Sequence, residues 1–166
     1  MKTIYAGIDP GKTGSVAFLS SDGTPIGAVA KMPWQGDRLL ARELFHAMVA
    51  MVSQGELLKV TVEKVHSMPG DKNRLRSMWT FAQAYGGILA VVDMLECPVQ
   101  FVAPQTWKKK MVVDINKTDK KAASLEVARN LFPSMSKALE KKSSHNLAEA
   151  ALICEFGRRR FITGDA

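Results

Sequence analysis

Cysteine is nearly missing from this chain: two residues in 166, Cys97 and Cys154. Two thiols, each in an apolar run, exclude a disulfide framework and predict buried thiols in a reducing compartment. No Cys or His pairs occur at zinc spacing, so a structural zinc site is not expected. No apolar stretch approaches the roughly 20 residues that a membrane-spanning helix requires, and no membrane is expected among the partners. The full Walker loop, Gly-x-x-x-x-Gly-Lys-Ser/Thr, is absent, as are internal repeats, linkers and low-complexity stretches. Met1 to Tyr5 run directly into a strand pattern, which predicts a cytoplasmic protein without a targeting peptide. Acidic residues are also outnumbered, 16 Asp and Glu against 23 Lys and Arg, for a net charge of +7.

What is present suits one α/β domain. Hydrophobic residues make up 46% and charged residues 23% of the chain, ordinary values for a globular protein. The length allows one full core and does not support two, so residues 1–166 are expected to form a single domain. The charge is unevenly placed. Residues 1–100 hold ten Lys/Arg and nine Asp/Glu, a balance of +1, whereas residues 101–166 hold thirteen and seven, a balance of +6. A basic excess gathered in one segment fits a binder of phosphate backbone. A solvated basic face fits it too.

Hydrophobic periodicity orders the elements. Ile4 to Asp9 is a short apolar strand ended by Pro10-Gly11, Ser15 to Leu19 a second, and Pro25 to Ala30 a third after the Ser20–Gly23 turn. A helix is predicted over Leu39 to Val52, stopping at Gly55, followed by a β-branched strand, Val60 to Glu63. A polar loop, His66 to Asn73, leads to a long helix over Leu75 to Glu96, then a strand over Val99 to Val102. Helical patterns return at Thr106–Lys110, Asp119–Leu131 and Ser144–Arg159, with Phe132-Pro133 as a break. This order predicts a mixed sheet with an antiparallel edge, flanked by helices.

Three carboxylates stand out. Asp9 and Glu63 each end an apolar strand, where an unpartnered carboxylate is costly to bury. If the two strands are neighbours, both acids meet at the sheet edge where open α/β folds bind ligands. His145 and Glu149 are four residues apart on an apolar helix and share one face. Carboxylates gathered in this way repel, and an oxygen-seeking divalent ion, Mg²⁺ or Mn²⁺, relieves the conflict. Two such ions about 3.5–4 Å apart suit phosphodiester cleavage. Taken singly, each acid also has an ordinary structural reading, as a turn cap or a solvated residue.

The ordered motifs resemble the RuvC-like Holliday junction resolvases, nearest to their phage and chloroplast branch. Gly7-Ile8-Asp9-Pro10-Gly11 with Thr13-Gly14 is similar to the family's first motif, and Val62-Glu63 to its second. Pro104-Gln105-Thr106-Trp107-Lys108, Asp119-Lys120 with Leu131-Phe132-Pro133, and His145 to Ile153 have counterparts in order. The resemblance implies an RNase H-like fold and a homodimeric, Mg²⁺-dependent endodeoxyribonuclease that makes paired nicks in four-way junctions. It implies two ions per site, with Asp9 bridging both, Glu63 on the ion that activates water, and Glu149 and His145 completing the set. Asn146 competes with His145 for the fourth place, and His145 is preferred for its spacing from Glu149. Lys108 and Lys120 correspond to lysines that hold phosphates near the cut.

DNA contacts are expected from Lys12, from the cluster Trp107, Lys108, Lys109 and Lys110, and from Lys120 and Lys121. Lys72, Arg74 and Arg76, in the segment after Glu63, are expected to join them. Arg158-Arg159-Arg160 reads instead as favourable charge at a helix C-terminus. Trp79, Phe81 and Tyr85 suit a protein interface. No small-molecule cofactor is expected. The first loop also resembles that of sugar-kinase and actin-like ATPases, but no second Asp-Gly phosphate loop follows and the chain is too short for their second lobe. A nuclease acting on RNA or RNA–DNA hybrid and a non-catalytic junction binder are the remaining alternatives.

Overall fold

The computed structural model describes residues 2–53, 55–64, 75–112 and 120–164, with residues 75–77 and 120 described by their backbone alone. Five strands form the main sheet: β1 (Thr3–Asp9), β2 (Ser15–Leu19), β3 (Pro25–Val29), β6 (Leu57–Glu63) and β7 (Val99–Val102), in the order β3-β2-β1-β6-β7. The first three pair antiparallel; β1 with β6 and β6 with β7 pair parallel. A small hairpin of β4 (Trp34–Gln35) and β5 (Arg38–Leu39) follows β3. The helices are α1 (Ala41–Val49), α2 (Leu75–Met94), α3 (Pro104–Met111), α4 (Lys120–Leu131) and α5 (His145–Thr163).

Both faces of the sheet are covered, which is why β1 and β2 are apolar at nearly every position rather than alternating. Alternate residues of β1 still enter different cores. Ile4, Ala6 and Ile8 pack with Leu58, Val60 and Val62 of β6, with Leu44 and Met48 of α1, and with Ile88, Val91 and Val92 of α2. Tyr5 points to the other face, where Trp107 and Met111 of α3, Leu125 and Ala128 of α4, and the buried stretch of α5 assemble. The helix spacings match this division: Leu44 and Met48 are i, i+4, as are Ala84 and Ile88 and the pair Trp107 and Met111. Pro104 opens α3 at its first turn, where its missing N–H leaves no bond unmade.

α5 lies directly on the sheet because two glycines remove the obstacles. A Cβ at Gly7 would collide with the Ala150 carbonyl and the Cys154 backbone, and one at Gly157 would collide with the Thr61 hydroxyl. Each glycine therefore fixes the height of the helix over one strand, β1 and β6 respectively. Gln100 of β7 seals the far end, donating to Thr61 Oγ1 and to the Gly157 carbonyl, both at 2.9 Å.

Three expectations are revised. Leu39 belongs to β5 rather than α1: Gly36, at φ 60, turns the β4–β5 hairpin and brings Leu39 into the core. α5 runs to Thr163, one turn beyond the expected end, and Gly164 closes it in the left-handed conformation at φ 71. Arg158 and Arg159 in that helix pair with Glu155 instead, at 2.6 and 2.7 Å, and of the three arginines it is Arg160 that lies in the last turn. Cys97 is half-buried whereas Cys154 is fully enclosed; both are free thiols. Among the described residues no helix is long and apolar enough to cross a membrane.

Candidate active site

The two-residue period of a strand decides where the acids point. In β1, Tyr5 and Gly7 face α5, so Asp9 does too. In β6, Leu58, Val60 and Val62 face α1 and α2, so Thr61 and Glu63 face α5. The parallel register pairs Ile8 with Val62, which leaves Asp9 and Glu63 as the next residues on adjacent strands, at one sheet edge. Glu149 joins them from above, because its neighbour Ala150 is the residue whose carbonyl sits against Gly7. Asp9 and Glu63 are 8% and 9% exposed.

The electrostatics record this gathering. The Asp9 carboxyl is pushed well above its ordinary pKa, first by burial and then by the charges of Glu63 and Glu149, with Lys108 opposing. The Glu63 carboxyl is also raised by burial, against a hydrogen bond from Trp107 and the charge of Lys108, with Glu149 adding to the rise. α3 supplies both opposing groups from consecutive positions. Trp107 Nε1 donates to Glu63 Oε1 at 3.0 Å, and Lys108 Nζ lies 2.9 Å from Glu149 Oε1. The Lys108 ammonium also stands 5.0 Å from the Trp107 ring centroid.

Sequence reading missed Ser124 of α4, whose hydroxyl donates to Glu149 Oε1 at 3.1 Å. A serine within Ala122-Ala123-Ser124-Leu125 carries no local signal, since only the docking of α4 on α5 turns it toward the site.

Trp107 needs a correction as a DNA contact. It is fully buried, with its one polar atom committed to Glu63, so the ring has no face to offer a partner. Lys109, Lys110 and Lys121 are exposed, and exposed Lys12 pairs with Asp37 at 2.7 Å. His145 opens α5, its Nδ1 3.2 Å from the Lys142 carbonyl. Asn146 turns elsewhere, donating through Nδ2 to the Thr13 carbonyl at 2.6 Å. Lys72 and Arg74 lie outside the described residues, and the side chains of Arg76 and Lys120 are likewise outside them. On α2, Trp79 is 67% exposed and Phe81 stacks with Tyr85 at 6.4 Å.

The chemistry of the donor set fits a hard divalent cation: oxygen ligands, several negative charges, and burial that penalises leaving them uncompensated. Among the described residues no three of Asp, Glu, His and Cys close around one point. Glu63 is drawn toward Trp107, and Glu149 toward Lys108 and Ser124.

No family model and no curated protein matches the sequence. Solved structures do. A Thermus thermophilus RuvC structure matches with a TM-score of 0.59 and 20% identity, covering 97% of this chain and 96% of that one. T. thermophilus RuvC in complex with Holliday junction substrate matches with a TM-score of 0.65 and 15% identity, covering 99% and 98%. The chain therefore has the RuvC-type, RNase H-like fold over nearly its whole length.

Proposed function

We propose that this chain is a structure-selective endonuclease of the Holliday junction resolvase type, a single RNase H-like nuclease domain that nicks four-way DNA junctions in pairs. The observation that carries this reading is the meeting of Asp9, Glu63 and Glu149 at one edge of a RuvC-type sheet, deep enough that Asp9 resists ionisation. Asp9, Glu63 and Glu149, with His145 as the fourth ligand, are the residues to hold the metal. Bound there, a pair of Mg²⁺ ions, replaceable by Mn²⁺, supplies positive charge beside the attacking and leaving oxygens of a phosphodiester.

The chain's own groups do the remainder. Strand ends fix Asp9 and Glu63 rigidly, so little reorganisation is needed at the moment of reaction. Lys108 and Lys120 hold the scissile phosphate, Lys108 from a position already beside the acids. Lys12, Lys109, Lys110 and Lys121, with Lys72, Arg74 and Arg76, track the backbone of the junction arms. The excess of +6 over residues 101–166 supports that surface. Paired nicks require two sites, and exposed Met78 and Trp79 on α2 support a homodimer formed through that helix. The order of the sequence motifs supports the phage and chloroplast branch. The RuvC–junction complex is consistent with branched DNA as partner, with no small-molecule cofactor required.

The test is cleavage with Mg²⁺ of a synthetic four-way junction, a linear duplex and an RNA–DNA hybrid. Symmetric paired nicks confined to the junction are expected. Preferential cutting of the hybrid would replace this reading with a hybrid nuclease, and binding without cutting would leave a junction-binding protein.

A further inference from the structure

We infer that Trp107 is a positioning residue for Glu63, a role that rests on the metal-site reading above. A tryptophan offers one polar atom, a donor. In a core position a phenylalanine or leucine would fill space without an N–H to satisfy, so a buried indole costs stability unless its N–H finds an acceptor. That outcome is not automatic in this chain: among the described residues the Trp34 indole N–H is buried with no partner. The Trp107 indole, fully enclosed, meets Glu63 Oε1 at 3.0 Å.

The backbone makes this meeting hard to avoid. Val102 of β7 pairs with Glu63 of β6, and the Lys64 N–H donates to the Val102 carbonyl at 2.7 Å. α3 starts two residues later at Pro104, so Trp107 on its first full turn is carried back over the end of β6. A donor-only group there can serve only an acceptor. It therefore favours the ionised carboxylate, and it engages one oxygen in a fixed orientation while leaving Oε2 outside the bond. Lys108, the next residue, grips Glu149 in the same way. One turn of α3 thus sets the orientation of two acids that come from different elements, and Trp107 sets the one most deeply enclosed.

The experiment follows the indole N–H signals by ¹H–¹⁵N NMR of the wild-type protein, without DNA, as Mg²⁺ is added. Three tryptophans give three signals. Trp34→Phe and Trp79→Phe assign two of them, and the third is Trp107 without altering the site. The Trp107 signal is expected to shift with the midpoint that calorimetry gives for Mg²⁺ binding, and to stay still in Asp9→Asn. Trp107→Phe is expected to weaken Mg²⁺ binding on the order of tenfold, the size of one hydrogen bond to a charged group. The Mg²⁺ needed for half-maximal cleavage should rise with it, while the rate at saturating Mg²⁺ stays near wild type. A Trp107 signal that does not move while Mg²⁺ binds overturns the inference. A folded Trp107→Phe with unchanged Mg²⁺ affinity overturns it as well, and if that variant fails to fold the wild-type titration decides alone. A signal that moves in a protein that cuts no junction would overturn the functional reading and leave this one standing.

Discussion

Asn146 and Thr13 are 133 residues apart in sequence, yet the Asn146 amide donates to the Thr13 carbonyl at 2.6 Å. The bond ties the first turn of α5 to the turn between β1 and β2, next to Asp9. It gives Asn146 a clamping task and separates it from His145, whose Nε2 is not taken by its contact with Lys142. Asn146→Ala should lower stability by about 1 kcal/mol, the usual worth of one hydrogen bond, with Mg²⁺ affinity changed only slightly. His145→Ala should do the reverse. Thermal melts and Mg²⁺ calorimetry on both variants check this, and an exchange of the two phenotypes would make Asn146 the ligand.

Asp9 should make the metal-free protein less stable as pH rises. Its carboxyl is raised by burial and by Glu63 and Glu149, so the folded chain holds the proton more tightly than the unfolded one. The stability this contributes is complete below the ordinary aspartate pKa of about 4 and is lost as pH climbs through the raised value. Asp9→Asn, which cannot ionise, should therefore melt above wild type in chelator once pH has passed the raised value, by about 2–4 °C for each kcal/mol removed. The gap should close as pH falls toward about 4. Mg²⁺ should stabilise wild type and leave the variant unchanged, and the variant should not cleave. A melting gap between metal-free wild type and Asp9→Asn that does not grow as pH rises from about 4 would contradict the electrostatics of the cluster.

The strand ends were legible because burial leaves a local mark. An acid closing an apolar β-branched run, as Asp9 and Glu63 do, is visible without a partner in view. Glu149 was legible only through its spacing and its resemblance to known resolvases. The contacts that organise the site were not. The bonds from Trp107 to Glu63 and from Ser124 to Glu149 span 44 and 25 residues, and nothing local distinguishes such a tryptophan from core filling or such a serine from a helix surface. The Lys-rich run after Trp107 even argued for the wrong side of the ring, because composition reports charge nearby and not which face is enclosed. The β4–β5 hairpin was missed for a similar reason: Leu39 and Leu40 fit the helical period of the residues after them.

Gly7 should be the most sensitive apolar position near the site. A Cβ there meets the Ala150 carbonyl and the Cys154 backbone, neither of which is the flexible end of a side chain. Gly7→Ala must therefore lift α5, and overpacking of this kind costs about 1–3 kcal/mol. The lift carries Glu149 away from Asp9, so metal affinity should fall in the same variant. Gly86→Ala makes the comparison, since nothing lies near its added Cβ, and it should keep both stability and Mg²⁺ binding. Equal behaviour of the two alanine variants would mean that α5 does not rest on β1 as described.

Lys108 should set the pH range in which the acids become usable. Its charge lowers the pKa of both Asp9 and Glu63, so Lys108→Met, which keeps most of the stem, removes an opposing influence and lets both rise further. Metal binding needs the ionised carboxylates. Mg²⁺ affinity measured across a pH series should therefore reach its plateau at a higher pH in Lys108→Met than in wild type, while Lys108→Arg stays near wild type. Junction binding should also lose salt dependence, its slope falling by about one if Lys108 neutralises one phosphate. The two readouts separate its tasks. A displaced pH profile with an unchanged salt slope would confine Lys108 to the acids, whereas a lost slope with an unmoved profile would make it a phosphate contact that only rests on Glu149 when DNA is absent.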